Sequence, residues 1–220
     1  MRDAKLLLRQ ADELQSSANI LQNEVRGKLA VGCMVTLAPM IAPALGHAFM
    51  NTYPDAKLTI TEASHDDLLG RLKLVEIDVA LTNDLTIPPD LEFEELASMP
   101  PHLLLAPDHR YAGRQHLTLA DMAHEPLVLL DLPHSSQYFL SLFERVGVQP
   151  LIHARSNNQE VVRTMDGRPL VSVALAGEHR AVRIGLMTLK QVRKPRLQRA
   201  FEEHCRAMIR AGSIPGMNMG

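Results

Sequence analysis

From Gly27 onward, short apolar runs and amphipathic stretches alternate, and this order restricts the fold more than any other feature of the chain. KLAVGCM reads as a strand, a helix opens near Thr36, KLTITEA alternates as a strand, SHDDLLGRLKLVE is helical, and IDVALTND is a strand again. Strand and helix in strict alternation imply right-handed crossover units and a mostly parallel sheet with helices on its faces. Ser64 is placed to cap the second helix, with Asp66 and Asp67 in its first turn, where the positive end of the helix dipole favours carboxylates.

The Pro-containing stretch IPPDLEFEELASMPP then leads to a strand, HLLLAPDHR, ended by Pro107 and Asp108, which reads as the passage to a second domain. A second alternation follows: a helical turn at LADMAH, the strand PLVLLDL, a helix from Ser135 through Arg145, the strand PLIHAR, and a helix start at SNNQEVVRTM. Asn157 or Asn158 can cap that last helix, with Glu160 in its first turn. Two more apolar runs, LVSVAL and AVRIGLMTL, precede a final helix from about Pro195 to Ile209 and a tail, GSIPGMNMG, that reads as frayed. Ahead of all this, residues 1–25 form one amphipathic helix with Leu7, Leu14 and Leu21 spaced by seven. That spacing suits packing on a partner helix, and packing on its own domain stays open beside it.

Composition removes several classes of function. The 220 residues are 46% hydrophobic and 22% charged, which is ordinary globular protein rather than a disordered chain. Lys and Arg number 23 against 25 Asp and Glu, a net charge of -2, so no global field draws the chain to nucleic acid or anionic lipid. Cys33 and Cys205 lie far apart and form no metal or disulfide pattern, so they read as buried thiols in a reducing compartment. There is no apolar run long enough to span a membrane, and the charged MRDAKLLLRQADELQ is unlike a signal peptide, so the expectation is a soluble, cytoplasmic protein.

Catalytic signatures are also lacking: there is no G-x-S-x-G elbow, phosphate loop, G-x-G-x-x-G or H-E-x-x-H. The ten histidines are scattered singly, so no metal, cofactor or catalytic residue is expected. Asp131, His134, Ser135 and Ser136 lie close together, but D-L-P-H-S-S after a strand reads better as a loop and helix start than as a triad. The basic stretch from Lys190 to Arg210 reads better as a solvated helix face than as a phosphate patch. What the chain does offer is a hydroxyl-bearing helix start just after a strand in each half: Thr36 in the first, Ser135 and Ser136 in the second. Ligands of open parallel sheets bind at the carboxyl ends of strands, where helix N-termini present unpaired N–H groups, so the pair of starts points to a module binding a small anion or polar molecule.

The set of local patterns resembles the effector-binding region of LysR-type transcriptional regulators, preceded by part of their linker helix. Gly27-Lys28-Leu29-Ala30-Val31-Gly32 is similar to that family's G-x-L-x-I-G strand, with Thr36 just after it. Phe49 to Pro54 resembles F-x-x-x-Y-P, Ile77-Asp78-Val79-Ala80-Leu81 its L-D-x-A-I strand, Leu103 to His109 its crossover segment, and Leu119-Ala120-Asp121-Met122 its L-A-D-L. The resemblance implies two Rossmann-like α/β subdomains of the type 2 periplasmic-binding-protein kind, joined by two crossover strands at His102 to Asp108 and Ala181 to Leu189. Subdomain I would be 27–105 plus 180–210, subdomain II 106–179, and 1–25 the dimerisation helix. The implied effector is a small metabolite, a carboxylate or other small anion, held in the cleft by Val35, Thr36, Ser64, His65, Thr82, Asn83, Pro133, His134, Ser135, Ser136, Asn157 and Asn158. Implied partners are further copies of the chain, as homodimer or homotetramer, and DNA through a winged helix-turn-helix placed before Met1. A solute receptor and an enzyme on the same two-lobed fold are the alternatives; the first is disfavoured by the lead helix, the second by the missing catalytic cluster.

Two departures from the family pattern stand out. Val75 occupies the glycine of G-x-x-D, which should shift only a turn. Between Met165 and Asp166 about 20 residues that would complete a helix, a turn and a strand do not occur. Either a strand of the second subdomain is lost or a segment is omitted from this sequence, and the sheet edges and core that a loss would expose favour the second reading.

Overall fold

The computed structural model describes residues 25–158, 170–190 and 193–212. The expected helices over 1–25 and from Asn157 to Met165, and nearly all of the expected tail, lie outside the described residues. The described chain divides into two compact units, one built from residues up to Ser98 and from Arg183 onward, the other from Met99–Val182.

The first unit carries a five-stranded sheet in the order β2-β1-β3-β10-β4. Its strands are β1 (Gly27–Met34), β2 (Ala56–Ala63), β3 (Val79–Asn83), β4 (Leu91–Met99) and β10 (Val182–Leu189), and its helices α1 (Ala38–Thr52), α2 (His65–Lys73) and α4 (Arg196–Arg210). β1 pairs in parallel with β2 and β3, whereas β10 runs antiparallel to β3. The strands of the expected alternation, β1, β2 and β3, are thus parallel, and β10, which joins the sheet only after the whole of the second unit with no crossover helix to constrain its direction, makes the sheet mixed.

β1 shows how the layers form. A Cβ on Gly32 would stand 2.5 Å from Leu68 Cδ2 and 2.6 Å from Ile77 Cδ1, so glycine at this position lets α2 approach the strand. Successive strand residues point to opposite faces. Buried Cys33 accordingly lies on the other side, where it is near enough to Cys205 of α4 to interact with it electrostatically. On that side Phe49 of α1 meets Phe201 of α4 edge to face, with ring centroids 5.2 Å apart and both rings fully buried. Asp78 fastens β3 to β1, because its carboxylate accepts from Ala30 N at 2.7 Å while its own N donates to Ala30 O at 2.7 Å.

Three local features differ from or add to the expectations. α1 begins at Ala38, with Leu37 at its N-cap and no side-chain cap, so Thr36 sits in the preceding turn and does not open the helix. Val75 adopts φ 58°, the left-handed conformation that favours glycine, and closes α2 by Val75 N→Leu72 O (3.0 Å) and Glu76 N→Arg71 O (2.8 Å), the bonding pattern of a Schellman C-cap. The proline-bracketed stretch before His102, given no element in the sequence, forms in its middle the sheet strand β4.

The second unit holds β5 (His102–Leu105), β6 (His116–Leu117), a 3-10 turn at Ala120–Met122, β7 (Pro126–Leu130), α3 (Ser135–Arg145), β8 (Leu151–Ser156) and β9 (Val171–Leu175). Its described strands form two sheets, β5-β9-β6 and β7-β8. β5 pairs antiparallel with β9, β6 parallel with β9, and β7 parallel with β8. One core joins them: Leu105, Leu117, Leu119, Met122, Leu142, Phe143 and Val173 are buried together, with Leu127 of β7 packed on the cluster. The expected boundary at 105 differs from the observed one after Ser98, because β5 bonds to β9 and so belongs with the second unit.

Candidate functional site

The first unit gathers the carboxyl ends of its parallel strands. Met34 ends β1 opposite Ala63 at the end of β2, and Val35 N donates to Ala63 O at 3.1 Å. Ser64 caps α2 as the sequence predicts, accepting from Asp67 N at 3.2 Å and donating its own hydrogen to Asp67 Oδ2 at 2.7 Å. That hydroxyl is therefore engaged within its own helix start. Val35 and Thr36 are half-buried in the turn before α1, whose second helical residue, Pro39, has no N–H to offer a ligand.

Behind this rim lies a buried polar group. His65, Thr82 and Asn83 are 5%, 0% and 3% exposed. His65 Nε2 stands 3.1 Å from Thr86 O, and a carbonyl can only accept, so Nε2 carries a proton. With a neutral ring, Nδ1 then accepts from the Thr82 hydroxyl at 2.7 Å. Asn83 Nδ2 donates to Met34 Sδ at 3.3 Å, and its Oδ1 accepts from Leu85 N at 3.1 Å. These three side chains tie the ends of β1 and β3 to the start of α2. Met34 is a site neighbour that sequence reasoning misses, because a lone methionine carries no signal.

The second unit repeats the arrangement with β7 and β8. Leu130 pairs with Ser156, Asp131 N donates to Ser156 O at 2.7 Å, and Asp131 forms an ion pair with Arg155 at 3.4 Å. The Pro133–Ser136 loop and Asn157–Asn158 thus leave from adjacent strand ends. His134 stands at the N-cap of α3 with φ 63°, and no side chain caps the helix. Ser135 N and Ser136 N donate to Pro133 O (2.7 Å) and Leu132 O (3.0 Å), and Ser136 Oγ donates to Leu132 O (3.1 Å). The expectation of open N–H groups and a free hydroxyl at this helix start is corrected, because the tight turn has turned them back on the loop. Asn157 and Asn158 are exposed, and Asn158 N donates to Ser156 Oγ at 3.1 Å.

Other chemistry is sparse. Among the described residues no group of three or more His, Cys, Asp or Glu could hold a metal ion, and no helix is long and apolar enough to cross a membrane. Both cysteines are buried. Burial raises their thiol pKa values, that of Cys33 to about 12, with Glu62 adding to the effect.

Two α/β units, each with polar loops at the carboxyl ends of parallel strands, define a two-part ligand-binding fold. Residues 22–168 match the family described as the LysR substrate binding domain, and the chain belongs to that family. Among curated relatives it is 28% identical over 181 residues to the uncharacterized HTH-type transcriptional regulator YnfL of Escherichia coli, covering 80% of this chain and 59% of YnfL. It is also 28% identical over 167 residues to the E. coli DNA-binding transcriptional dual regulator OxyR, covering 74% of this chain and 53% of OxyR. The chain thus spans little more than half the length of these relatives. Among solved structures, HinK, a LysR family regulator of Pseudomonas aeruginosa, matches with a TM-score of 0.80 at 30% identity over 94% of this chain and 78% of HinK. The effector-binding domains of QuiR with shikimate (18% identity, TM-score 0.70, 83% of this chain and 96% of that one) and of BenM with benzoate (15%, 0.72, 84% and 93%) share the fold. That fold is of the type 2 periplasmic-binding-protein kind.

Proposed function

We propose that this chain is the sensor part of a LysR-type regulator, binding a small carboxylate at its polar strand-end loops and passing the bound state to a DNA-binding domain outside these 220 residues. The observation that carries the reading is the matched pair of polar strand-end loops, Val35–Thr36 with Ser64 in one unit and Pro133–Ser136 with Asn157–Asn158 in the other. Shikimate and benzoate, the ligands of QuiR and BenM, are both carboxylates and support this class of ligand. A ligand shifts such a protein only by its differential affinity for two states, so closure, further self-association and operator binding would follow from contacts made in one state alone.

A peroxide-sensing thiol is the other reading that the likeness to OxyR raises. Reactive thiols have lowered pKa values and access to solvent. Cys33 and Cys205 have neither, which favours the small-molecule reading.

The test is the melting midpoint of the purified chain against a panel of organic acids that begins with benzoate and shikimate. At 100 times its dissociation constant a ligand adds about 2.7 kcal/mol, a shift of several degrees for a chain of this size. Thr36→Val should weaken the responding acid about tenfold by removing one hydrogen bond of about 1.4 kcal/mol. A panel without any responding acid would refute the carboxylate reading, and an unchanged affinity in Thr36→Val would move the site elsewhere.

A further inference from the structure

The chain leaves the first unit after Ser98 and returns to it at Arg183. One guanidinium sits at the return. Arg183 Nε donates to Asp84 Oδ2 at 2.6 Å and Arg183 N to Asp84 Oδ1 at 2.9 Å, while Asp84 N donates to Arg183 O at 3.1 Å. The Asp84 side chain is fully buried, whereas that of Arg183 is 46% exposed and reaches Glu95 Oε2 at 3.5 Å on β4, the strand by which the chain departs. Asp84 in turn begins the loop whose Thr86 carbonyl accepts from His65.

We propose that Arg183 is a hinge clamp: it ties the point of return (β10) and the strand of departure (β4) to the end of β3, and so fixes the direction in which both connections leave the first unit. Buried Asp84 holds Arg183 by two oxygens, one on the guanidinium and one on the backbone N–H, which sets its orientation as well as its position. Exposed Glu95 supplies the weaker arm, on the strand that must flex if the connections swing. The chain of contacts from His65 through Thr86 and Asp84 to Arg183 links the ends of β1 and β3 to the same clamp. This proposal stands whether or not the effector reading holds.

The experiment uses the full chain with spin labels on Arg199→Cys in the first unit and Glu144→Cys in the second, both exposed positions. Cys33 and Cys205 are buried and stay unlabelled. Double electron–electron resonance should give a distance distribution that about doubles in width in Arg183→Gln, with the circular dichroism spectrum retained. Asp84→Asn combined with Arg183→Gln should widen it no further than Arg183→Gln alone. Should Arg183→Gln not fold, Glu95→Gln removes only the exposed arm and should widen the distribution less, in the same sense. A width unchanged in whichever variant folds, even with a lowered melting point, would reduce the clamp to an ordinary stabilising pair and overturn the proposal. A wild-type distribution already as broad as the variant's would do the same.

Discussion

In the first unit β3 is buried at all five of its residues and β10 at its last six, whereas no described strand of the second unit is buried throughout. The apolar content of the strands is alike: PLVLL of β7 is as hydrophobic as VALTN of β3. What differs is the cover. α1, α2 and α4 lie over the two faces of one continuous sheet in the first unit, while among the described residues of the second unit α3 alone packs on two separate sheets. Burial of a strand is thus conferred by the layers around it.

The sharpest test of this contrast is a pair of glycines. A Cβ on Gly185 of β10 would stand 2.0 Å from Glu94 O, a backbone atom that can move only with its strand, whereas one on Gly113 of the second unit would meet nothing within 4 Å. Gly185→Ala should cost about 3 kcal/mol in urea denaturation, against about 0.5 kcal/mol or less for Gly113→Ala. Equal costs would mean that the close packing of the first unit is not what stabilises it.

Next in size is Val75, which is 8% exposed and held in a left-handed conformation. Val75→Ala gives up about 1.5 kcal/mol of burial and keeps the strain. Val75→Gly gives up slightly more burial, since the Cβ goes too, but relieves about 1–2 kcal/mol of backbone strain, so it should be more stable than Val75→Ala by up to about 1 kcal/mol. Alanine outranking glycine in thermal melts would show that tight packing does not hold the strained turn.

The smallest effect belongs to His204, beside Phe49 in the first unit, whose ring Nε2 is buried without a hydrogen-bond partner among the described residues and whose pKa burial lowers from 6.5. As pH falls through 6.5 the unfolded chain takes up the proton before the folded one does, so this stabilisation is complete above 6.5 and is lost on acidification. Stability measured between about pH 7 and 5 should therefore slope downward, and His204→Phe should flatten part of that slope. An unchanged slope would assign the pH dependence to other groups.

Much of the fold is legible in the sequence because its signals are local. The Ser64 cap with Asp66 and Asp67, the start of α3 at Ser135, and the alternation in β2 each lie within a few residues. β4 is not legible. Pro88, Pro89, Pro100 and Pro101 bracket it, and its three glutamates obscure the pattern. Those carboxylates find their partners far along the chain: Glu92 with Thr188 and Lys194, Glu94 with Arg206, and Glu95 with Arg183. The bond to Lys194 is also what chiefly lowers the pKa of Glu92. At the candidate site, resemblance proposes positions but not the bonds that their side chains make. That Thr82 bonds His65 across 17 residues, or Arg183 bonds Asp84 across 99, is information that only the folded chain contains.

The place of β10 between β3 and β4 bears on how the protein comes into being. A ribosome releases Met99–Val182 in full before it delivers the strand that completes the first sheet. Domains generally fold as units while synthesis proceeds, at about 5–20 residues per second. The looser second unit can therefore fold early, while the better-packed first unit must wait, its sheet divided, until the last stretch of chain emerges. A nascent chain stalled just after Val182 would expose the facing edges of β3 and β4, and would be a natural client for a chaperone that recognises unpaired strands.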